Sequence, residues 1–321
     1  MLYLNEADIR ALPYQWSTLI AEMERAVRVM EAGDYAQPIK PYLRYGDPAN
    51  RMIAMPAYLG GSFAAAGLKW IASFPSNRNE GLPRAHSVTL LNDHRTGRPV
   101  AMLNATLPSM LRTAAVSGLL LTHYVQSRRW STMKVGILGF GPIGRQHVDM
   151  CNSQFGSMIS SYTIYDPSGV DLSGIAEPAR SRAQVADSWE EVVMQSDVLI
   201  TCTVSDKRYI SSLPRPGSLL LHVSLRDYVP EAIAQVKQMI VDDWEEVCRE
   251  QTDIERLHLG YGLMPEQVFT LQDVVCRHVL DQMDPEESVL FSPMGMGIFD
   301  VAIASRLLLL AREHQAGTAL P

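Results

Sequence analysis

The stretch Lys134-Val135-Gly136-Ile137-Leu138-Gly139-Phe140-Gly141-Pro142-Ile143-Gly144 constrains this chain more than any other. An apolar, strand-forming run ends there in a G-x-G-x-x-G turn. In a dinucleotide-binding unit the first glycine makes the tight turn, the second lets backbone approach a pyrophosphate, and the third allows a helix to pack closely on the strand. The helix N-terminus adds amide donors and a favourable dipole. Such a pattern carries weight only in context, and the context is present. A helical stretch from Arg145 to Phe155 follows, and the next strand, Tyr162 to Tyr165, ends at Asp166. An acid about 20 residues beyond the loop suits a ribose 2′-hydroxyl and repels a 2′-phosphate. The expected cofactor is therefore NAD rather than NADP, held by Gly139, Gly141, Pro142, Ile143, Gly144 and Asp166.

Further strands are predicted at Val198 to Val204, Ser218 to Val223 and Met239 to Val241, with helical candidates between them. Alternation of this kind predicts an α/β fold with a doubly wound parallel sheet of Rossmann type, binding ligands at the carboxyl ends of its strands. Thr201-Cys202-Thr203-Val204 and His222-Val223-Ser224 fall at those ends, which makes Thr203, Val204 and Ser224 candidate cofactor contacts. Asp227 follows closely. A carboxylate there has the position of a general base, and equally it could cap a helix beginning near Pro230. Asp242-Asp243-Trp244-Glu245-Glu246 reads as a solvated acidic helix start rather than a metal site. Glu250 to Gln272 is polar and helical in parts, with breaks at Gly260 and Gly262. Phe291-Ser292-Pro293-Met294-Gly295-Met296-Gly297 leads into a long helix from Phe299 to His314. Its glycines let backbone approach something flat such as a nicotinamide, which adds Met294 and Gly295 to the candidate cofactor contacts.

Upstream, Asn5 with Glu6 and Asp8 has the chemistry of a helix start, and Trp16 to Ala32 places Leu19, Ile20, Met23, Ala26, Val27 and Met30 on one helical face. Short strand-like pieces follow at Pro41 to Tyr45, Arg51 to Pro56, Gly67 to Ser73, Ser87 to Leu91 and, after a turn at Asn92 to Gly97, Pro99 to Asn104. Two of them carry cations inside apolar sequence: Arg44 in Lys40-Pro41-Tyr42-Leu43-Arg44, and Lys69 in Gly67-Leu68-Lys69-Trp70-Ile71-Ala72. An inward cation requires an anionic ligand or a carboxylate neighbour, whereas one at a strand edge merely snorkels to water. Leu107 to Val125 reads as a helix with Pro108 in its first turn, carrying Arg112 and Thr113.

The whole chain has 321 residues, 47% of them hydrophobic, enough for two domains with substantial cores. A net charge of −7 and the lack of any Lys/Arg-rich run argue against nucleic acid or an anionic membrane as partner. No basic start precedes an apolar core and no apolar run reaches spanning length, so a cytoplasmic protein is expected. Cys151, Cys202, Cys248 and Cys276 are scattered and read as reduced packing residues. Histidines such as His86 and His147 read as structural, and no metal site is expected.

With Gly67-Leu68-Lys69-Trp70, Leu111-Arg112-Thr113-Ala114-Ala115, the Gly139 to Gly144 loop, Asp227 and Pro293-Met294-Gly295, the chain resembles the ornithine cyclodeaminase/μ-crystallin family of NAD(P)-dependent imine-forming and imine-reducing enzymes. Within it, the stretches Gln37 to Arg44, Arg51 to Pro56, Ile200 to Asp206 and Val241 to Trp244 are similar to the branch that releases 2,3-diaminopropionate for siderophores and peptide antibiotics. Cyclodeaminases carry an acid two positions before the Met-Pro pair to hold the distal amine of ornithine; here neither Ile53 nor Ala54, the two residues before Met55-Pro56, is an acid. The resemblance implies NAD-dependent oxidative cleavage of N-(1-amino-1-carboxy-2-ethyl)-glutamate, a small-molecule amino-acid substrate with several carboxylates. It implies that Arg44, Lys69 and Arg112 bind the α-carboxylate, that Lys69 also polarises the reacting centre, that Asp227 is the acid/base, and that Arg84 is a second clamp. It further implies an α+β substrate-binding and homodimer-forming domain from residues 1–115 with 301–321, beside an NAD-binding domain over 116–300. Ornithine cyclodeamination or ketimine reduction on the same scaffold, and a non-catalytic NAD(P)-binding protein like μ-crystallin, are the competing expectations.

Overall fold

The structure, a computed structural model, describes residues 1–321 apart from Asp206 and the side chain of Arg78. Asp206, which closes the family-like stretch Ile200 to Asp206, thus lies outside the described residues. The chain divides into two compact units, Met1–Arg112 with Gly295–Pro321, and Thr113–Met294.

In the first unit Asn5 caps the helix Glu6–Arg10 in a capping box with Asp8, but the helix is only five residues long. The long amphipathic helix is Trp16–Glu31, and its buried face holds Leu19, Ile20, Met23, Ala26, Val27 and Met30 as the spacing predicts. The sheet has eight strands in the order Thr318–Ala319, Leu2–Leu4, Pro99–Asn104, Ala85–Asp93, Ala65–Ser73, Arg51–Leu59 and Tyr35–Ala36, with Tyr42–Leu43 also paired to Arg51–Leu59. Three of its strands are nine residues long, extending past the shorter runs the sequence suggests. The helix Gly297–Glu313 packs on these strands and on Trp16–Glu31. It is apolar almost all round, the pattern of a helix covered on most sides.

The second unit has an eight-stranded, all-parallel sheet in the order Ala183–Val185, Ile159–Tyr165, Met133–Leu138, Val198–Thr201, Leu219–His222, Val289–Ser292, Gln238–Val241, Val268–Thr270. The order reverses between Met133–Leu138 and Val198–Thr201, the topological switch point where such sheets bind ligands. The predicted doubly wound Rossmann-type sheet and the α+β partner are both present. Val289–Ser292 corrects the sequence reading, which treats Phe291 onward as a turn: these four residues are an interior strand, buried on both faces. A four-residue apolar run has no periodicity of its own, and the proline and glycines after it dominate the pattern.

A second correction concerns the acidic stretch. Asp243 does cap the helix Trp244–Val247, but Asp242 and Glu246 are buried rather than solvated. Asp242 Oδ1 accepts from the amides of Asp243 (3.0 Å) and Met294 (2.9 Å). Gly262 ends the helix Asp253–Tyr261 in the left-handed conformation. All four cysteines are free thiols, and no helix among the described residues is long and apolar enough to cross a membrane.

Candidate active site

The strand Met133–Leu138 delivers the glycine loop to the carboxyl edge of the parallel sheet. Gly139 has φ +91°, and a Cβ there would meet the Cys202 carbonyl carbon and the Thr203 amide at 2.7 and 2.8 Å. A Cβ on Gly144 would lie 2.2 Å from the Gly139 carbonyl oxygen, whereas one on Gly141 would meet nothing within 4 Å. Two glycines are therefore required by packing, and the middle one faces open space where a ligand can approach. Gly141 is also the N-cap of the helix Pro142–Phe155, and no side chain caps that end. Bare helix amides beside an open glycine fit a pyrophosphate. Asp166 stands next to the loop, its Oδ2 accepting from the Phe140 amide (2.7 Å) and its Oδ1 from the Ser168 amide (2.9 Å). Asp166→Ala removes the acceptor for the Phe140 and Ser168 amides and is expected to weaken NAD about tenfold, read by NADH fluorescence titration. An unchanged dissociation constant would remove Asp166 from the cofactor set.

Asp227 lies in the same unit as this loop and is buried. Its two carboxyl oxygens accept from the hydroxyls of Thr203 and Ser224, and Ser224 Oγ is 2.6 Å from Thr201 Oγ1. The alternative role as a helix cap is excluded, since the N-cap of Pro230–Ile233 is Val229 and receives no side-chain bond. Burial pushes the Asp227 carboxyl above its usual range; His222 and the Thr203 and Thr201 hydroxyls oppose that, and Asp253 adds to it. A carboxyl shifted in this direction exchanges protons nearer neutrality, as general acid/base work requires. His147 is buried as well, with Nδ1 2.8 Å from the Ile143 carbonyl and Nε2 2.9 Å from Ser117 Oγ, and burial lowers it to about 4. It is a neutral structural residue.

The cations of the first unit converge on an acid that sequence reading misses. Lys69 is 2% exposed, on the strand Ala65–Ser73. Its Nζ and the Nε of Arg112 each lie 3.1 Å from Oδ1 of Asp300. Burial, with help from Arg112 and Lys40, lowers Lys69 to about 8 against the pull of Asp300. Burial alone would raise the Asp300 carboxyl, but Arg112 and Lys69 outweigh it and hold it below the ordinary range. Its Oδ2 is buried with no hydrogen-bond partner among the described residues. The signal for Asp300 is visible in Ile298-Phe299-Asp300-Val301-Ala302, a lone charge inside an apolar helix. Lys40, also missed, is buried and donates to the Gly295 carbonyl at 2.7 Å.

Gly295 also has a structural reason within its own unit. Its φ is +84°, and a Cβ there would sit 2.3 Å from Arg112 Nη1. The flat group against this glycine is the guanidinium of Arg112. Gly295→Ala is expected to cost roughly 1–3 kcal/mol from the positive φ alone and to push Arg112 off Asp300. Urea unfolding and substrate KM read the two effects.

The structure brings Lys69 and Arg112 together, Thr203, Ser224 and Asp227 together, and the loop residues Gly139, Gly141, Pro142, Ile143 and Gly144 beside Asp166. It does not bury Arg44, which is exposed past the strand Tyr42–Leu43, with Nη1 3.3 Å from the Pro48 carbonyl. Arg84 is half-buried just before the strand Ala85–Asp93. Val204 is exposed, and Met294 packs against the core of the second unit.

Residues 5–311 match the model of the ornithine cyclodeaminase/mu-crystallin family. The N-((2S)-2-amino-2-carboxyethyl)-L-glutamate dehydrogenase of Staphylococcus aureus is 32% identical over 335 aligned positions, covering 100% of this chain and 98% of that protein. An archaeal alanine dehydrogenase dimer solved with bound NAD is 25% identical, with a TM-score of 0.83 over 100% of this chain and 99% of that one. The Thermococcus litoralis Δ1-pyrroline-2-carboxylate reductase, solved with NADH and L-proline, shares the fold at a TM-score of 0.87 and 24% identity, each chain covered in full. The family-model match over residues 5–311, with a 32% identical relative covered end to end, shows that this chain belongs to the ornithine cyclodeaminase/mu-crystallin family.

Proposed function

We propose that this protein is an NAD-dependent amino-acid dehydrogenase that oxidises N-(1-amino-1-carboxy-2-ethyl)-glutamate to 2,3-diaminopropionate and 2-oxoglutarate. The observation that carries the substrate is the 32% identity, end to end, with the Staphylococcus aureus enzyme of that name. Ile53 and Ala54, before Met55-Pro56, support it against ornithine: both sit half-buried in the strand pair, opposite Ile71 and Trp70, and neither is an acid that could hold a distal ammonium. The balance is one substituted glutamate, NAD⁺ and water giving diaminopropionate, oxoglutarate, NADH and one proton.

Arg44, Lys69 and Arg112 bind the α-carboxylate, with Arg84 taking a further carboxylate of the substrate; planar guanidinium groups suit that task. The glycine loop, Asp166, Thr203, Val204, Ser224, Met294 and Gly295 make up the cofactor set. NAD supplies the hydride acceptor. Asp227, oriented by Thr203 and Ser224, takes a proton from the water that attacks the substrate iminium and returns it to the amine as the carbinolamine breaks. The lysine charge polarises the reacting carbon. The first unit is assigned substrate binding and homodimer formation, the second NAD binding. The protein works in the cytoplasm and supplies a siderophore or peptide-antibiotic precursor.

The test is NADH formation at 340 nm from purified protein, NAD and each candidate amine. Turnover is expected with the glutamate conjugate and at least about 100-fold less with ornithine, proline or alanine, since each lacks carboxylates that the cations take. Preference for ornithine, or for reduction of cyclic ketimines by NADH, would overturn the substrate assignment.

A further inference from the structure

Behind the Asp227 carboxyl, in the same unit, lies a second buried polar cluster that the reading above leaves unused. His222 ends the strand Leu219–His222 and Asp253 opens the helix Asp253–Tyr261; each side chain is 1% exposed. His222 Nε2 lies 3.1 Å from Asp253 Oδ2, its Nδ1 lies 3.0 Å from Ser292 Oγ, and its ring meets Tyr228 edge-on at 5.0 Å. Asp253 Oδ2 also accepts from the Tyr228 amide at 2.9 Å, and Oδ1 accepts from Arg208 Nε at 2.6 Å.

These contacts close on the segment that carries Asp227 from both sides. The Asp253 amide donates to the Leu225 carbonyl at 2.9 Å, two residues before Asp227, while its carboxylate holds the amide just after it. Arg208 also donates to the Gln251 carbonyl, and the next two amides, Tyr209 and Ile210, donate to the Asp227 carbonyl at 2.8 and 2.9 Å. Arg226 donates twice to the Glu250 carbonyl, at 3.0 and 2.9 Å. Within this clamp Leu225, Glu250 and Gln251 have φ of +70°, +61° and +60°. Non-glycine residues held there cost on the order of 1–3 kcal/mol each and persist only where the surroundings over-determine them. Here they flank the backbone that carries Asp227 and Asp253, and residues of this kind cluster at functional sites, where a group must be placed precisely.

We propose that Asp253, with Arg208 and His222, is the positioning set for Asp227: it fixes the backbone of residues 225–228 and, through the His222 ring, sets the electrostatic surroundings of the Asp227 carboxyl. The inference rests on Asp227 being the acid/base group. The ionisable groups facing Asp227 are His222 and Asp253 behind it and Tyr209, Tyr228 and Cys202 around it. Burial would raise Asp253, but His222, the Tyr228 amide and Arg208 outweigh it and hold it low, so it stays ionised while Asp227 is raised. Environments that push two neighbouring carboxyls apart mark one as fixed charge and the other as proton carrier.

The experiment compares D253N and H222Q with D227N in the full-length protein. D253N is expected to lower kcat about 10- to 100-fold while the KM for the amine and the dissociation constant for NAD stay within about twofold, because a small displacement of a catalytic group costs that much. In H222Q the Asp227 carboxyl, followed by ¹³C NMR of labelled aspartate without substrate and identified by its loss in D227N, should titrate at higher pH, and the acid limb of kcat should move with it. An unchanged kcat per folded D253N molecule overturns the proposal. If D253N does not fold, the titration decides: an upward shift in H222Q supports the proposal and an unmoved signal overturns it. If D227N itself turns over normally, the acid/base reading fails, and the substrate-free titration still decides whether the cluster governs this carboxyl.

Discussion

Asp227→Asn should reduce turnover by about 10²- to 10⁴-fold while leaving NAD affinity within about twofold. Asparagine keeps the shape and one acceptor for the Thr203 and Ser224 hydroxyls, so the fold and the neighbouring loop lose little. What it loses is the proton. Because burial raises this carboxyl above the usual range, the wild-type rate should fall away on the acid side at a pH higher than an exposed aspartate gives. The sign follows from the proposed role: with the ionised form as base, activity is present above the folded-state pKa and lost below it. A kcat profile from pH 4 to 9, with stopped-flow measurement of hydride transfer, reads both effects. An asparagine variant with wild-type turnover would mean that water is activated elsewhere.

Asp300→Ala should be the most damaging change to stability at the site. It removes the carboxylate that both Lys69 and Arg112 contact at 3.1 Å, leaving two cations in a buried setting. Breaking a buried ion pair by removing one partner typically costs about 3–5 kcal/mol. At about 2–4 °C per kcal/mol in domains of this size, the melting temperature should drop by about 10 °C. The linkage with pH is also testable. Lys69 falls to about 8 in the folded chain from 10.5, so between those values the unfolded chain binds more protons and stability rises with pH. Without Asp300 the lysine should fall further and that rise should begin at lower pH, whereas Lys69→Met should lack it. Urea titrations at pH 7, 8, 9 and 10 on the three proteins give the slopes. Equal slopes in wild type and Lys69→Met would show that the lysine is not the titrating group.

Much of the architecture was legible because it rests on local chemistry. The glycine loop, the acid at the end of the following strand and the amphipathic helix of residues 16–31 each declare themselves through spacing that the backbone requires. Val289–Ser292 did not, since a buried parallel strand of four residues looks like any apolar run, and its place between Leu219–His222 and Gln238–Val241 depends on a crossover that no short window contains. At the site, Lys69 and Arg112 stood out as charges in apolar sequence. Whether Lys69 pointed inward was open until its partner appeared 231 positions away. Asp300 carried the same kind of signal as Lys69 and could have been found by asking which acid might answer a buried lysine. Arg44 shows the limit of the method: a cation beside an apolar strand, yet exposed. Gly295 shows another, for its positive φ was foreseeable but the guanidinium occupying its missing side chain was not.

Two cations on one carboxylate leave a buried positive excess, and that has a practical consequence at the bench. Any small carboxylic acid in solution is a potential tenant. Citrate, malonate or acetate buffers should act as competitive inhibitors against the amine, inflating apparent KM without touching kcat, and should raise the melting temperature in proportion to the logarithm of their concentration. Kinetic constants measured in carboxylate buffers would then describe a competition, and those measured in amine or sulfonate buffers the enzyme itself.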